Sequence, residues 1–281
     1  MARLDVRKTH KLYIGGDFPR SESGRTFPAL DDDGNVIARM AEGSRKDLRD
    51  AVRAARGAQE KWAARTGYNR GQILYRIAEM VEDRAAAFQD DLRVMGASKR
   101  AAERQVEATI DRLVWYAGWC DKFPQVFGNL NPVAGPFFNI SSPEPTGVVG
   151  VIAPHEPPLL GLVSRLAPVL VPGNTAVVVA SDRAPVVAVT FAEALATSDV
   201  PAGVVNILTG HAAELTPWLA SHMDVNAIDL TGCPDDLIAE AETAAADNVK
   251  RVVRSEKVDS QSPLLIAAFT ETKTVWHPKG L

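Results

Sequence analysis

Pro154-His155-Glu156 sets an imidazole beside a carboxylate, two groups that can exchange a proton near neutral pH. On an extended segment adjacent side chains point to opposite faces, so a hydrogen-bonded or solvated loop competes with an acid/base pair. A second candidate is Cys233, which follows Gly232 and precedes Pro234-Asp235-Asp236-Leu237. A thiol beside a helix N-terminus can have a depressed pKa and become nucleophilic. No nearby feature supplies a base, however, and a small turn residue or buried thiol is the competing reading. Cys120 follows an aromatic helix face and reads as core. His211 near a helix start and His222 near a helix end read as capping or solvated residues, and Glu256 as a linker charge.

Composition removes several classes of function. Two cysteines cannot build a disulfide framework, and no Cys-x-x-Cys or His-x-x-x-His spacing suggests a metal site. The formal charge of −4 is mixed along the chain, giving no electrostatic reason to expect nucleic acid or an anionic membrane as partner. No apolar run reaches the ~18 residues of a membrane span, and the opening MARLDVRKTHK is polar. The expectation is a cytoplasmic globular protein with reduced thiols and no metal. A hydrophobic content of 46% can bury a full core in one or two domains.

These candidates sit on a regular frame. Leu12-Tyr13-Ile14 runs into the turn signal Gly15-Gly16-Asp17, with Arg25-Thr26-Phe27 as a return strand. Three amphipathic helices follow: Ser44 caps one with Leu48, Val52, Ala55 and Trp62 on its face, Ile73 to Leu92 spans another, and Val106 to Ala117 a third. Turn residues around Phe137-Phe138-Asn139-Ile140 predict a β-hairpin over 126–146. Short apolar strands at 148–152, 176–179, 204–208, 227–230 and 249–253 then alternate with helical stretches near 159–171, 185–197, 211–222 and 235–247. That alternation implies a parallel sheet with helical crossovers. SEKVDSQSP after Arg254 reads as a linker, and 264–268 leads into a final strand, Phe269 to Trp276.

Several of these segments resemble the aldehyde dehydrogenases in kind and order: KLYIGGDF near the start, the helix with Arg45-Lys-Asp-Leu-Arg-Asp-Ala-Val52, Tyr116-Ala-Gly-Trp119, Glu144 to Pro154, Pro172-Gly-Asn-Thr175, Pro201 to Gly210, and Leu230-Thr-Gly232. The resemblance covers about residues 11 to 254. It implies an α/β fold with a Rossmann-like parallel sheet wound with helices, an N-terminal helical segment and a small antiparallel oligomerisation sheet. Residues 1–125 and 147–255 would form the nucleotide-binding domain. Residues 126–146 and 264–281 would form the oligomerisation hairpin and C-terminal strand, and 256–263 a linker standing where the family has its catalytic domain.

The resemblance also implies which catalytic parts are lost. Chemistry of this family needs a thiolate, donors for an oxyanion, NAD(P) and a base. No cysteine follows residue 254, and the Glu-Leu-Gly-Gly motif expected near Ser255-Glu256 is absent. Glu156 falls on the family's oxyanion-donor asparagine, where a carboxylate would repel the developing charge. A family lysine that holds the adenosine ribose falls on Val179. Asp182 falls on an acidic position that contacts ribose hydroxyls, and Gly232 opens the pyrophosphate turn, where Asp235 and Asp236 would compete with phosphate for the helix terminus. Asp182 and Gly232 are therefore the only cofactor-binding candidates, with no catalytic or metal residue assigned. No cofactor is expected, and weak NAD(P) binding is the alternative. The function implied is a catalytically incompetent subunit of a homo- or hetero-oligomer, with a full-length aldehyde dehydrogenase as a candidate partner. The alternatives are an NAD(P)-binding sensor or an oxidoreductase acting on aldehydes through Cys233.

Overall fold

A computed structural model describes residues 8–280. The first described elements are β1 (Thr9–His10), β2 (Thr26–Leu30) and β3 (Val36–Ala41), a small sheet in the order β1-β3-β2. The lead-in differs from the expected hairpin: Tyr13 bridges to Ile207, while 26–30 pairs antiparallel with 36–41. Tyr13 is buried, so its apolar ring contributes more against the main core than it would in a detached ribbon.

Four helices follow: α1 (Arg45–Ala63), α2 (Gly67–Asp83), α3 (Ala85–Val94) and α4 (Lys99–Ala117). Ser44 and Asp47 form a reciprocal capping box at α1, and Thr66 and Ser98 cap α2 and α4. The stretch from Ile73 to Leu92 is two helices because the chain breaks at Arg84, whose φ of −102° and ψ of 14° lie outside the helical range. After α5 (Phe123–Phe127), β4 (Asn129–Asn131) and β5 (Phe137–Pro145) form the expected hairpin.

The main layer then runs β6 (Val148–Ile152), α6 (Pro158–Leu170), β7 (Thr175–Val179), α7 (Pro185–Leu195), β8 (Val205–Leu208), α8 (Ala212–Ser221), β9 (Ala227–Asp229), α9 (Asp235–Ala246) and β10 (Arg251–Val253). The strands are parallel in the order β10-β9-β6-β7-β8. β6, β7, β8 and β9 are buried along their whole length, as a sheet covered on both faces requires. Strand alternation sorts the side chains into two cores. Val149, Val151, Ala176 and Val178 pack with Leu162 and Leu166 of α6, whereas Val148, Ile152, Val177 and Val179 pack with Leu48 and Val52 of α1 and Leu215 and Leu219 of α8.

The segment after β10 is held down. Arg112 of α4 donates through Nε to Gln261 Oε1 at 3.0 Å and through Nη1 to the Ser260 carbonyl at 3.1 Å, and Thr231 Oγ1 accepts from the Ser255 amide at 3.1 Å. Residues expected as the run-in to a strand form instead a short helix, α10 (Pro263–Ala267), because Ser262 caps it and Ile266 is buried. β11 (Thr270–Pro278) is the last element among the described residues. It pairs antiparallel with β5 along nine residues, Thr270 opposite Pro145 through Pro278 opposite Phe137, giving a three-stranded sheet in the order β11-β5-β4.

Candidate functional site

Parallel strands carry their crossovers away at their carboxyl ends, so groups just beyond those ends gather in a crevice. Asp182 follows β7, His155 follows β6 and His211 follows β8. The three converge: Asp182 Oδ2 lies 3.5 Å from His211 Nδ1, and Asp182 Oδ1 lies 3.9 Å from His155 Nδ1. His155 Nδ1 and Ser181 Oγ form a 2.7 Å hydrogen bond. Burial pulls the His155 pKa below its ordinary value, with Asp182 opposing that shift and Arg183 reinforcing it. The shift favours the neutral imidazole.

His155 turns to Ser181 and Asp182, while Glu156 is exposed and lines a cleft of about 980 Å³. Its wall includes Asp182, Arg183 and His211, with Asp31 and Asp32 from the β2–β3 turn and Gln105 of α4. Asp31 serves its own turn, accepting from the Asn35 amide at 2.7 Å and the Asp33 amide at 3.1 Å. The lining is thus acidic at four named carboxylates and cationic at Arg183. His211, read from sequence as a capping or solvated residue, makes no side-chain cap bond but is exposed, and its ring also approaches Asp182. Nothing in local sequence could reveal this, since the pair joins the ends of two strands.

Gly232 is not among the residues lining that cleft. A Cβ there would collide with the backbone of Ile152, Ala153 and Pro154. This glycine lets the turn after β9 approach the end of β6, a packing requirement independent of any ligand. Cys233 sits in the same turn, its amide donating to the Leu230 carbonyl at 3.0 Å. Burial, with Asp236 and Asp235 adding, pushes its thiol up to about 11. Desolvation and the two acids outweigh the opposing Arg254, which favours the protonated thiol at neutral pH. Cys120, buried in the core, is pushed up to about 12. Val179 is fully buried in β7 and presents no donor. Glu256 is an exposed residue of the segment between β10 and α10.

The family model for the aldehyde dehydrogenase family matches residues 20–274. The chain belongs to the aldehyde dehydrogenase family. Cytosolic 10-formyltetrahydrofolate dehydrogenase of Homo sapiens is 33% identical over 276 residues, covering 94% of this chain and 30% of that protein. Retinal dehydrogenase 2 of Gallus gallus is 35% identical over 273 residues, covering 94% of this chain and 51% of that one. Among solved structures, an NAD+ complex of aldehyde dehydrogenase from Bacillus cereus superposes with a TM-score of 0.81 at 26% identity, covering 87% of this chain and 50% of that one. HpcC from Thermus thermophilus gives 0.83 at 30% identity, covering 88% and 48%. This aldehyde dehydrogenase family chain spans about half the length or less of the relatives it matches. No helix among its described residues is long and apolar enough to cross a membrane.

Proposed function

We propose that this chain is a non-catalytic aldehyde dehydrogenase-like subunit, cytoplasmic, that assembles through its C-terminal strand, either with its own kind or with a full-length aldehyde dehydrogenase. The observation carrying this reading is β11: nine residues bound to β5 on one edge, exposed along the rest, and with only the short segment 254–262 between β10 and α10. An open strand edge presents unpaired N–H and C=O groups and is ready to take another strand.

The chemistry supports the same reading. Both thiols are buried and held protonated, and the position expected to donate to an oxyanion carries the carboxylate of Glu156. The residues present suit a dinucleotide poorly. Val179 offers no donor, Asp182 is shared between two histidines, and Asp235 and Asp236 occupy the first turn of α9. Reaction through Cys233 lacks a thiolate at neutral pH.

A second reading, a nucleotide-binding sensor, is favoured by one feature: Asp182 and His211 at the mouth of the cleft of about 980 Å³, where a carboxylate can accept from a diol. Calorimetry with NAD and NADP separates the two. Binding at micromolar Kd supports the sensor. Absence of heat, together with an oligomeric mass for the purified protein, supports the assembling subunit.

A further inference from the structure

The edge of β11 has a definite hydrogen-bonding phase. The Lys279 amide donates to the Pro136 carbonyl at 2.7 Å and the Phe269 carbonyl accepts from the Thr146 amide at 3.2 Å, so odd-numbered residues of this strand turn their backbone groups toward β5. Even-numbered residues, Thr270, Thr272, Thr274, Trp276 and Pro278, therefore direct theirs to the open edge. Two members of that row are special. The Thr270 carbonyl already accepts from Arg251 Nη1 at 2.6 Å, and Pro278 has no N–H to give.

We propose that β11 pairs antiparallel with β11 of a second copy of this chain, about a twofold axis through Thr274, joining two three-stranded sheets into one continuous sheet. The proposal rests on the reading of β11 as the assembly edge and names its occupant. In this register Thr274 exchanges both hydrogen bonds with its own counterpart, and Thr272 exchanges both with Trp276 of the other copy. Thr270 then faces Pro278. The Thr270 amide donates to the Pro278 carbonyl, and the Thr270 carbonyl needs nothing from the missing proline N–H because Arg251 already satisfies it. The outward row closes with no group left over.

Side chains agree with this register and oppose its neighbours. It sets Glu271 opposite His277 and Lys273 opposite Val275. An axis through Lys273 would place that ammonium directly against its copy, an unfavourable like-charge pair. An axis through Val275 would oppose Thr272 to Pro278, leaving the Thr272 carbonyl without a donor and Lys273 opposite His277. An axis through Thr272 aligns little more than half the strand. Trp276 and Val275, 57% and 49% exposed, gain cover only in the longer overlaps.

The test uses the full chain. Directly opposed residues of a hydrogen-bonded pair have Cα atoms about 5.5 Å apart, inside the disulfide range. Thr274→Cys should therefore give a reducible covalent dimer under mild oxidation, about tenfold more than Lys273→Cys or Val275→Cys, whose own counterparts lie on a diagonal. Thr272→Pro deletes an outward N–H and spares the ladder to β5, so it should convert a dimer in light scattering to a monomer without changing far-ultraviolet dichroism. A dimer that crosslinks best at Lys273 or Val275, or that ignores Thr272→Pro, overturns the register while leaving assembly standing. A monomer that captures a full-length relative through an edge sensitive to Thr272→Pro overturns the second copy as occupant and keeps the assembly reading. A monomer that captures nothing overturns both.

Discussion

Arg165 of α6 and Asp229 at the end of β9 meet with neither side chain exposed, the guanidinium Nε donating to Oδ2 at 2.7 Å. The pair ties the helix on one face of the sheet to the strand beneath it, and Arg165 Nη1 finds no protein partner. Removing one member strands a buried charge, so Asp229→Ala should cost about 3–5 kcal/mol in urea unfolding. The double change Arg165→Met with Asp229→Leu should recover most of that loss. A double variant no better than the single one would mean that the pair, rather than the shape it fills, sustains this part of the fold.

Gly232→Ala tests whether this glycine serves packing or a ligand. Its Cβ would meet backbone, which cannot swing aside as a side chain can, so thermal unfolding without any nucleotide should show a loss of about 1–3 kcal/mol. Unchanged stability would return Gly232 to the candidate cofactor contacts.

How much of this was legible beforehand differs by element. The alternation of short apolar strands with helices is a local signal, and β6 and β7 fall within a residue of where periodicity sets them. The β4–β5 hairpin was equally local. The bridge from Tyr13 to Ile207 and the approach of His211 to Asp182 join residues far apart in sequence, and no window of sequence contains both partners. α10 escaped because five residues give too little periodicity to distinguish a helix from an apolar strand lead-in. Gly232 suits a phosphate turn and a tight packing contact alike, because both demand the same absence of a side chain, and the approach to Ile152–Pro154 that gives it the second is visible only in the fold.

Cys233 should be slow to alkylate. With its thiol pushed up to about 11, its thiolate fraction near neutral pH is about 100-fold below that of a thiol of ordinary pKa. Because its folded pKa lies above the unfolded one, its contribution to stability is intact below pH 9 and is lost as pH rises from about 9 to about 11. Iodoacetamide labelling followed by peptide mass analysis checks the rate, and rapid labelling of the native chain at pH 7 would revive the nucleophile.

His155 should respond to Asp182. Burial lowers the imidazole pKa and the nearby carboxylate opposes it, so Asp182→Asn should lower the pKa further in a nitrogen-15 NMR titration. With a folded pKa below 6.5, the unfolded chain binds the proton first, so stability falls as pH drops through 6.5 toward the folded value. An unchanged His155 titration in the Asp182→Asn variant would show that the carboxylate has no hold on the ring and that burial sets its pKa.

Hydrogen exchange along β11, resolved to single amides at high protein concentration, tests the central claim most directly. If the open edge is covered by a second strand, the outward amides of Thr272, Thr274 and Trp276 exchange as slowly as the inward amides of Lys273 and Val275, and only the outward set speeds up on dilution. Rapid exchange of the outward amides at every concentration and in the presence of a full-length relative, with the inward ones protected throughout, would show an edge that nothing covers and would contradict it.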